Sequence, residues 1–326
     1  MLILTKSMFA MMIGFLGAVI LGLFLIPGLK RMKVGQRISV FVGESHRKKE
    51  GTPTMGGFIF IIPTLLATLL LLLTNKMEYT TNLGIVLAVF IGYAILGFLD
   101  DYLSIKRKGN EGLTEFQKIV GQVIIALVFF FMYMKNGGQT ALVVSTLGIH
   151  IEMGWIYGLF ILFLLVGGSN AVNLTDGLDG LAGGLSAIAF IAFSLISMVV
   201  GFEDMGIFTF ILTGSLLGFL VYNTNPAKVF MGDTGSLALG GVMVAIAILT
   251  HREITLAVVA GIFILETLSD ILQFIWIYAF KKKLFLMAPL HHHFEKLGWA
   301  ERDIVKLFWV GGLILAMAGI FFGVWL

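Results

Sequence analysis

The chain has 326 residues, of which 58% are apolar and 13% are charged, and its mean hydropathy is +0.99. Soluble domains carry about 25% charged residues, so this composition excludes a soluble globular protein and indicates an integral membrane protein. The chain has no cysteine, which excludes disulfides, thiolate nucleophiles and Cys-ligated metal centres, and its formal net charge is only +3.

Ten segments are apolar and long enough to approach the ~20 residues that a membrane-spanning helix needs. The sequence therefore predicts an all-α polytopic membrane protein, with residues 1–326 forming a single integral membrane domain. We expect the first segment to be a retained helix, since it is longer than the apolar core of a signal peptide and lacks a small-residue cleavage site. The ten predicted spans are 8–29, 57–74, 83–99, 119–134, 153–168, 185–200, 205–222, 236–250, 254–280 and 305–325.

Basic residues divide the connecting loops into two classes, and cytoplasmic loops are those with an excess of Lys and Arg. Eighteen of the 22 Lys and Arg fall in alternate loops; the other four are Lys6, Lys76, Lys135 and Arg252. This pattern predicts that the basic loops are cytoplasmic and that both termini lie outside. The basic loops also carry nearly all of the polar sequence, so we expect function at that face. On the outer face, partial alternation within residues 139–152 predicts a small β-hairpin.

Three of the predicted cytoplasmic loops deliver aspartates to the membrane edge. Asp100 and Asp101 end the third span, Asp176 and Asp179 follow the fifth, and Asp233 precedes the eighth. Carboxylates near a bilayer tend to face water or a polar cavity, and hard oxygen ligands suit Mg²⁺ or Mn²⁺. Each loop alone is also consistent with a solvated helix end or, at Asp233, with a charge favoured by the helix dipole. Three such loops on one face favour a divalent-cation site.

The segment NAVNLTDGLDG, residues 170–180, has more hydrogen-bonding capacity than a turn requires. Asn170, Asp176 and Asp179 are therefore candidates for binding a polar ligand such as a nucleotide, although a glycine-rich cap between two helices is the alternative. Asn223 and Phe230 lie in another short cytoplasmic loop, where an aromatic ring beside amides could stack on a base. Composition alone favours simple anchoring of Phe230 at the membrane interface.

Three further features have two interpretations each. The segment GTPTMGG, residues 51–57, either lets the backbone approach a phosphate or forms a tight loop, and the tight loop is the more common case. The run His291, His292 and His293 is either solvated or binds phosphate through its imidazoles. Glu266 and Asp270, four residues apart in the ninth span, either line a cavity or join helices.

Five segments together resemble one family. These are GTPTMGG at Gly51, FLDDY at Phe98, NAVNLTDGLDGLA at Asn170, NPAKVFMGDTGSLALGG at Asn225 and APLHHHFEKLGW at Ala288. In this order they are similar to the cytoplasmic-loop motifs of the phospho-N-acetylmuramoyl-pentapeptide-transferase (MraY) family. The histidine segment is the most specific, because other polyprenyl-phosphate N-acetylhexosamine-1-phosphate transferases share the acidic motifs but usually have a different last loop.

The resemblance implies Mg²⁺-dependent transfer of phospho-MurNAc-pentapeptide from UDP-MurNAc-pentapeptide to undecaprenyl phosphate, giving lipid I and UMP in peptidoglycan synthesis. The implied location is the bacterial inner membrane, with the active site facing the cytoplasm. The implied partners are the two substrates, membrane lipid and a second copy of the chain in a homodimer, with no nucleic acid.

The resemblance also implies a role for each matching residue. Among the expected catalytic residues, Asp233 is a Mg²⁺ ligand, Asp100 is a base or orients the lipid phosphate, and Asp101 supports metal or phosphate geometry. The residues matched to the uridine pocket are Asn170, Asp176, Gly177, Leu178, Asp179, Asn223 and Phe230. Those matched to the phosphosugar are His291, His292 and His293, with Lys118 as a further phosphate contact.

Two other functions are compatible with parts of the sequence. A sister enzyme that uses UDP-GlcNAc would share the acidic motifs, but the histidine segment and the DDY context argue against it. A transporter would suit ten spans and the Glu266/Asp270 stripe. Transporter sites tend to lie near the bilayer midplane, often within internal repeats, whereas these polar groups cluster at one membrane edge and no repeat is evident.

Overall fold

The computed structural model describes residues 2–31, 51–107, 112–144 and 148–324. Within these residues the chain forms helices and one two-stranded sheet. The helices are α1 (Leu2–Arg31), α2 (Phe58–Leu73), α3 (Thr81–Lys106), α4 (Glu115–Lys135), α5 (Ile156–Thr175), α6 (Leu181–Val199), α7 (Glu203–Asn223), α8 (Asp233–Leu249), α9 (Glu253–Val259), α10 (Gly261–Phe280), α11 (Leu290–Lys296) and α12 (Glu301–Val324). The basic residues Lys33, Arg37, Arg47, Lys48, Lys49 and Lys108, and the predicted span end Trp325, lie outside the described residues.

Eight of these helices are long and apolar enough to cross a membrane by length and composition; they are α1, α3, α4, α5, α6, α7, α10 and α12. The predicted second and eighth spans correspond to α2 and α8, which are apolar but have only 16 and 17 residues. The prediction of an all-α polytopic membrane protein is therefore confirmed at the level of fold class.

The predicted ninth span differs from the structure. Residues 254–280 were expected to form one helix, but α9 ends at Val259 and α10 begins at Gly261. Ala260 between them has φ −87° and ψ 13°, outside the dihedrals of a regular helix. Because the side chains remain apolar across the break, hydropathy alone does not reveal it.

Helix α8 lies at the centre of the helical assembly. Every residue from Thr234 to Leu249 is buried, which explains why this helix is apolar on all sides. Helices α3 and α5 pack against it, while α7 packs against α1 and α6. Edge-to-face aromatic pairs join these layers, with ring centroids 5.9 Å apart for Phe90 and Phe208. The first residue of α8 is thereby held in a fixed position at one end of the assembly.

The two ends of the assembly differ in chemistry. At one end, the segments predicted to be cytoplasmic contact one another through polar groups. At the other, Thr80 donates to the Asp204 carboxylate and Arg252 Nε donates to the Gly323 carbonyl at 2.9 Å. Strand β1 (Ala141–Val144) pairs antiparallel with β2 (Ile149–Glu152), within the segment where a hairpin was expected.

Candidate active site

Three aspartates meet where α3 ends and α8 begins. Each of Asp100, Asp101 and Asp233 offers a carboxylate oxygen, and these oxygens lie within 4.8 Å of one another. Asp100 and Asp101 are only 8% and 7% exposed. Two of the three acidic loops predicted from the sequence therefore form one acidic centre, made of these three residues.

Asp101 caps the N-terminus of α8. Its Oδ1 accepts from the Asp233 N–H at 3.2 Å, and its Oδ2 accepts from the Thr234 N–H at 3.0 Å and the Thr234 hydroxyl at 2.6 Å. The first N–H groups of a helix have no partner within the helix, and a carboxylate also complements the helix dipole there. Asp101 thus fixes the backbone that carries Asp233.

Close packing of α3 against α8 makes this cap possible. A Cβ atom at Gly97 would overlap the backbone carbonyl of Asp233, with the Thr234 nitrogen 2.6 Å away. Only glycine at position 97 lets the two helices approach this closely. Asp101, one turn further along α3, then reaches the first N–H groups of α8.

Lys118 joins the acidic centre from α4. Its Nζ lies 2.5 Å from Asp233 Oδ2 and 3.3 Å from Asp100 Oδ2. A capping box at Thr114 begins α4 four residues earlier, and Asp100 Oδ1 accepts from the Leu113 N–H at 2.8 Å. The centre therefore holds a cationic group between two carboxylates.

Asn173, on α5, is a site residue that the sequence analysis did not select. Its Nδ2 donates to Asp233 Oδ1 at 2.8 Å and to Ser236 Oγ at 2.9 Å. Asn170, which was selected, instead forms an amide pair with Gln122, with Nδ2 donating to Gln122 Oε1 at 2.9 Å. Asn173 lies three residues from both Asn170 and Asp176, a spacing that places all three near one helix face and could have identified it.

The acidic centre fits a hard divalent cation. Its donors are carboxylate oxygens from Asp100 and Asp233, and the ammonium group of Lys118 already occupies the space between them. Mg²⁺ is usually held by one or two protein carboxylates together with substrate phosphates, which matches this donor set. The carboxylates could therefore hold such an ion once the Lys118 ammonium group moves from between them.

The turn after α5 faces the acidic centre. Asp176 follows Thr175, and within the described residues no group donates a hydrogen bond to its carboxylate. Desolvation, and next the carboxylates of Asp233 and Asp101, raise the pKa of the Asp176 carboxyl well above its usual range. Leu178, in the same turn, is buried in the apolar core. Leu178 is therefore part of the core. Asp176 carries a carboxyl group that accepts no hydrogen bond within the described residues.

Asp179 and Asn223 hold loops together. Asp179 Oδ2 accepts from Asn225 Nδ2 at 3.1 Å and from the Ala227 N–H at 3.0 Å. Asn223 Oδ1 accepts from the Gly180 N–H at 3.1 Å, and its Nδ2 donates to the Val229 carbonyl at 3.0 Å. Both side chains are buried and shape the surroundings of the site.

Phe230 lies on a segment that pairs with residues 51–57. Its N–H donates to the Pro53 carbonyl at 2.8 Å, and its carbonyl accepts from the Gly56 N–H at 2.8 Å. The Gly57 N–H donates to the Met231 carbonyl at 2.9 Å. The N–H groups of Gly56 and Gly57 are therefore used within the protein, as in the tight-loop interpretation, while the Phe230 ring is half-buried.

The three histidines, on α11, have different partners. His291 is fully buried, and its Nδ1 lies 2.9 Å from Glu266 Oε2 on α10. His292 Nδ1 lies 2.6 Å from Glu295 Oε2, and His293 Nδ1 accepts from the Leu286 N–H at 3.1 Å. His291 contacts the turn after α5, because a Cβ at Gly177 would overlap its Nε2.

Comparison with known proteins identifies the family. A family model described as glycosyl transferase family 4 matches residues 83–251. Phospho-N-acetylmuramoyl-pentapeptide-transferases of Bacillus licheniformis and Bacillus subtilis are each 49% identical to this chain, over 98% of this chain and 98% of each relative. The corresponding protein of Geobacillus thermodenitrificans is 49% identical over 97% of this chain and 98% of its own length.

The chain belongs to the phospho-N-acetylmuramoyl-pentapeptide-transferase family. The resemblance found in the five loop motifs is therefore confirmed. Members of this family are phospho-sugar transferases of peptidoglycan synthesis, and the apolar helices agree with a multi-pass bacterial membrane protein. The transporter and UDP-GlcNAc alternatives are not favoured.

In this transferase, the expected site residues separate into two groups. Some present polar or aromatic groups at the centre or its rim; they are Asp100, Asp233, Lys118, Asp176 and Phe230. The others are held in contacts within the protein; they are Asp101, Asn170, Gly177, Leu178, Asp179, Asn223, His291, His292 and His293.

Proposed function

We propose that the acidic centre is the active site at which phospho-MurNAc-pentapeptide passes from UDP-MurNAc-pentapeptide to undecaprenyl phosphate, giving lipid I and UMP. The observation that carries this location is the convergence of Asp100, Asp233 and Lys118 from three helices at one end of the assembly. The transfer reaction is inferred from membership of the family. The geometry of the three side chains supports the acidic centre as its location. Residues 1–326 act as one integral membrane domain in this proposal.

Asp233 is the residue that would hold Mg²⁺. When bound, the ion neutralises the charge of the pyrophosphate. Asn173 orients Asp233 through its 2.8 Å hydrogen bond, and Asp101 keeps the α8 backbone in position. The assignment of Mg²⁺ rests on the carboxylate donor set of this centre.

The chemistry is a displacement at the phosphorus that carries the sugar. A phosphate oxygen of the lipid forms a new bond to this phosphorus, and the bond to the UMP oxygen breaks on the opposite side. Lys118 binds the phosphates through its ammonium group, while Asp100 accepts a proton from the lipid phosphate or orients it. Lys118 Nζ and Asp100 Oδ2 are 3.3 Å apart, so both side chains can reach the same phosphate.

The uridine moiety is assigned to the rim of the centre. Phe230 offers a half-buried ring for stacking, and Asp176 offers a carboxyl group free of hydrogen bonds within the described residues. Asp179 and Asn223 support this rim by joining the loops that carry these two residues. Their role in nucleotide binding is therefore indirect.

An apolar cavity along α5 and α8 suits the lipid chain. It has a volume of about 270 Å³ and lies between α5, α8 and the α9–α10 break, with Val172, Met243 and Phe263 among its lining residues. Its lining on α5 starts at Val172, next in sequence to Asn173, and extends to Phe163 toward the opposite end of the helix. We assign part of the undecaprenyl chain to it, since a polyprenyl chain is apolar throughout.

The proposal also covers orientation and assembly. The excess of Lys and Arg in alternate loops supports a cytoplasmic active site, where a soluble nucleotide sugar meets the lipid phosphate. We further propose a homodimer in the bacterial inner membrane, in contact with membrane lipid and without a nucleic acid partner.

The reaction is tested by measuring UMP release from the purified protein in detergent. The assay supplies UDP-MurNAc-pentapeptide and undecaprenyl phosphate, with and without Mg²⁺, and uses UDP-GlcNAc as a competing donor. We expect Mg²⁺-dependent release from the muramoyl donor only. Release from UDP-GlcNAc alone, by folded protein, would contradict the proposed donor.

A further inference from the structure

A buried hydrogen-bonded pair joins α10 to α11. His291 Nδ1 lies 2.9 Å from Glu266 Oε2, and the His291 backbone N–H also points to this oxygen at 3.5 Å. Both residues are 0% exposed. Because a carboxylate that binds one ring nitrogen fixes the orientation of an imidazole, Glu266 determines where the other ring nitrogen of His291 lies.

The other ring nitrogen faces the turn after α5. His291 Nε2 lies against Gly177, which is next to Asp176 in the turn after α5, and no other residue type at 177 leaves room for the ring. Within the described residues Nε2 has no hydrogen-bond partner, and neither has Glu266 Oε1. Leaving a buried polar atom unpartnered costs about 1–3 kcal/mol, so each such atom needs an explanation, and beside a binding site a ligand that completes the bonding is one.

Gln273, also on α10, has purely structural contacts. Gln273 Oε1 accepts from the N–H groups of Leu284 at 3.0 Å and Phe285 at 2.9 Å, which ties the following loop to the helix. All of the polar atoms in this contact are paired. The Glu266–His291 pair differs, since it leaves one unpartnered atom on each residue and ends at the turn that carries Asp176.

We propose that Glu266 is a positioning residue for the UDP-linked donor, acting through His291. Its carboxylate accepts from Nδ1–H, so that Nε2 is left to accept a hydrogen bond from a hydroxyl group of the donor, and it keeps the ring against the Asp176–Gly177 turn. This inference rests on the proposed function, because it assumes that the donor binds beside this turn.

The test is a double-mutant cycle read out as donor affinity. The dissociation constant of UDP-MurNAc-pentapeptide is measured by calorimetry in detergent for wild type, E266M, E266Q, H291N and E266M/H291N. We expect E266M to weaken binding at least about tenfold, or 1.4 kcal/mol. E266Q should stay within about threefold of wild type, because its amide oxygen still accepts from Nδ1–H. On the H291N background, E266M should have no further effect.

Glu253 provides the matched control. It is also buried, its Oε1 accepts from the Tyr157 hydroxyl at 2.5 Å, and its Oε2 is unpartnered within the described residues, but it lies at the other end of the assembly. E253M should therefore leave donor affinity unchanged. If E266M does not fold, E266D, which withdraws the carboxylate by one methylene, replaces it with the same expectation.

Two results would overturn the role of Glu266. One is wild-type donor affinity in folded E266M or E266D, and the other is an equal loss of affinity on the wild-type and H291N backgrounds. Because the readout is binding, it is independent of turnover. Failure of the wild-type protein to release UMP would contradict the proposed reaction instead, so the two failures can be distinguished.

Discussion

At the level of single residues, the acidic centre divides its carboxylates between two tasks. Both oxygens of Asp101 accept hydrogen bonds from the start of α8, so this residue positions Asp233. Asp100 and Asp233 instead direct oxygens to Lys118, which shows that the space between them accommodates positive charge. We infer that Asp233 and Asp100 contact the reacting groups, while Asp101 acts through the backbone.

Phe230→Ala tests the stacking role at the rim. Stacking of a base on an aromatic ring contributes ~1–3 kcal/mol, so we expect the KM for the UDP donor to rise about tenfold. The KM for the lipid phosphate should change little. Steady-state kinetics with each substrate varied in turn measure both constants, and an unchanged donor KM would exclude stacking on Phe230.

Asn173→Ala removes the hydrogen bond to Asp233. A hydrogen bond to a charged group contributes about 1.5–3 kcal/mol, so kcat/KM should fall about 10- to 100-fold. The matched control is Asn136→Ala, since Asn136 Nδ2 donates to Asn82 Oδ1 at 2.7 Å on an exposed surface outside the site. Equal activities in the two variants would remove Asn173 from the site.

At the level of helices, the site depends on how α3 meets α8. The acidic centre combines the C-terminal part of α3, the N-terminus of α8 and the first turns of α4. Since α8 is buried along its whole length after Asp233, its position cannot adjust without disturbing its neighbours. A small change in the α3–α8 distance should therefore change the rate of the transfer reaction directly.

Gly97→Ala is the change that tests this dependence. The added Cβ would overlap the Asp233 carbonyl, and overpacking of this kind costs about 1–3 kcal/mol. We expect turnover to fall by at least about tenfold as Asp233 moves. Gly92→Ala, on the same helix, is the control, because its Cβ would lie 3.5 Å from the nearest atom, Ile125 Cγ1. Equal UMP release rates in both variants would show that the α3–α8 distance is unimportant.

The sequence predicted the helices better than their interruptions. Apolar runs indicate α1 to α8 directly, but the break at Ala260 is not visible because both sides of it are equally apolar. In the site, residue types and loop positions indicated Asp100, Asp233 and Asp176. They did not distinguish Asn170 from Asn173, because that choice depends on the rotation of α5 relative to α8. The Glu266–His291 pair could not be predicted either, because it depends on how α10 packs against α11.

At the level of the whole molecule, the account requires that all site loops face the cytoplasm. The site residues lie at one end of the assembly, and the segment containing Lys76 lies at the other, near Thr80 and Asp204. Alternate loops of the sequence carry most of the Lys and Arg. We therefore propose a cytoplasmic location from the same rule that predicted the topology.

Single cysteines test this orientation, because the chain has none of its own. Lys76→Cys and Lys282→Cys both place a thiol at an exposed position, at opposite ends. A membrane-impermeant maleimide should label position 76 in intact cells and position 282 only after the membrane is permeabilised. The reverse labelling pattern would contradict the proposed orientation.

The central claim, that the acidic centre performs the transfer, is tested most directly by the Mg²⁺-dependent rate of UMP release from Asp233→Asn. Removing one charged group from such a centre should lower kcat more than about a hundredfold in a protein that remains folded. Asp204→Asn, a buried aspartate at the other end, is the control and should keep its activity. A wild-type rate and Mg²⁺ dependence in folded Asp233→Asn would contradict the account.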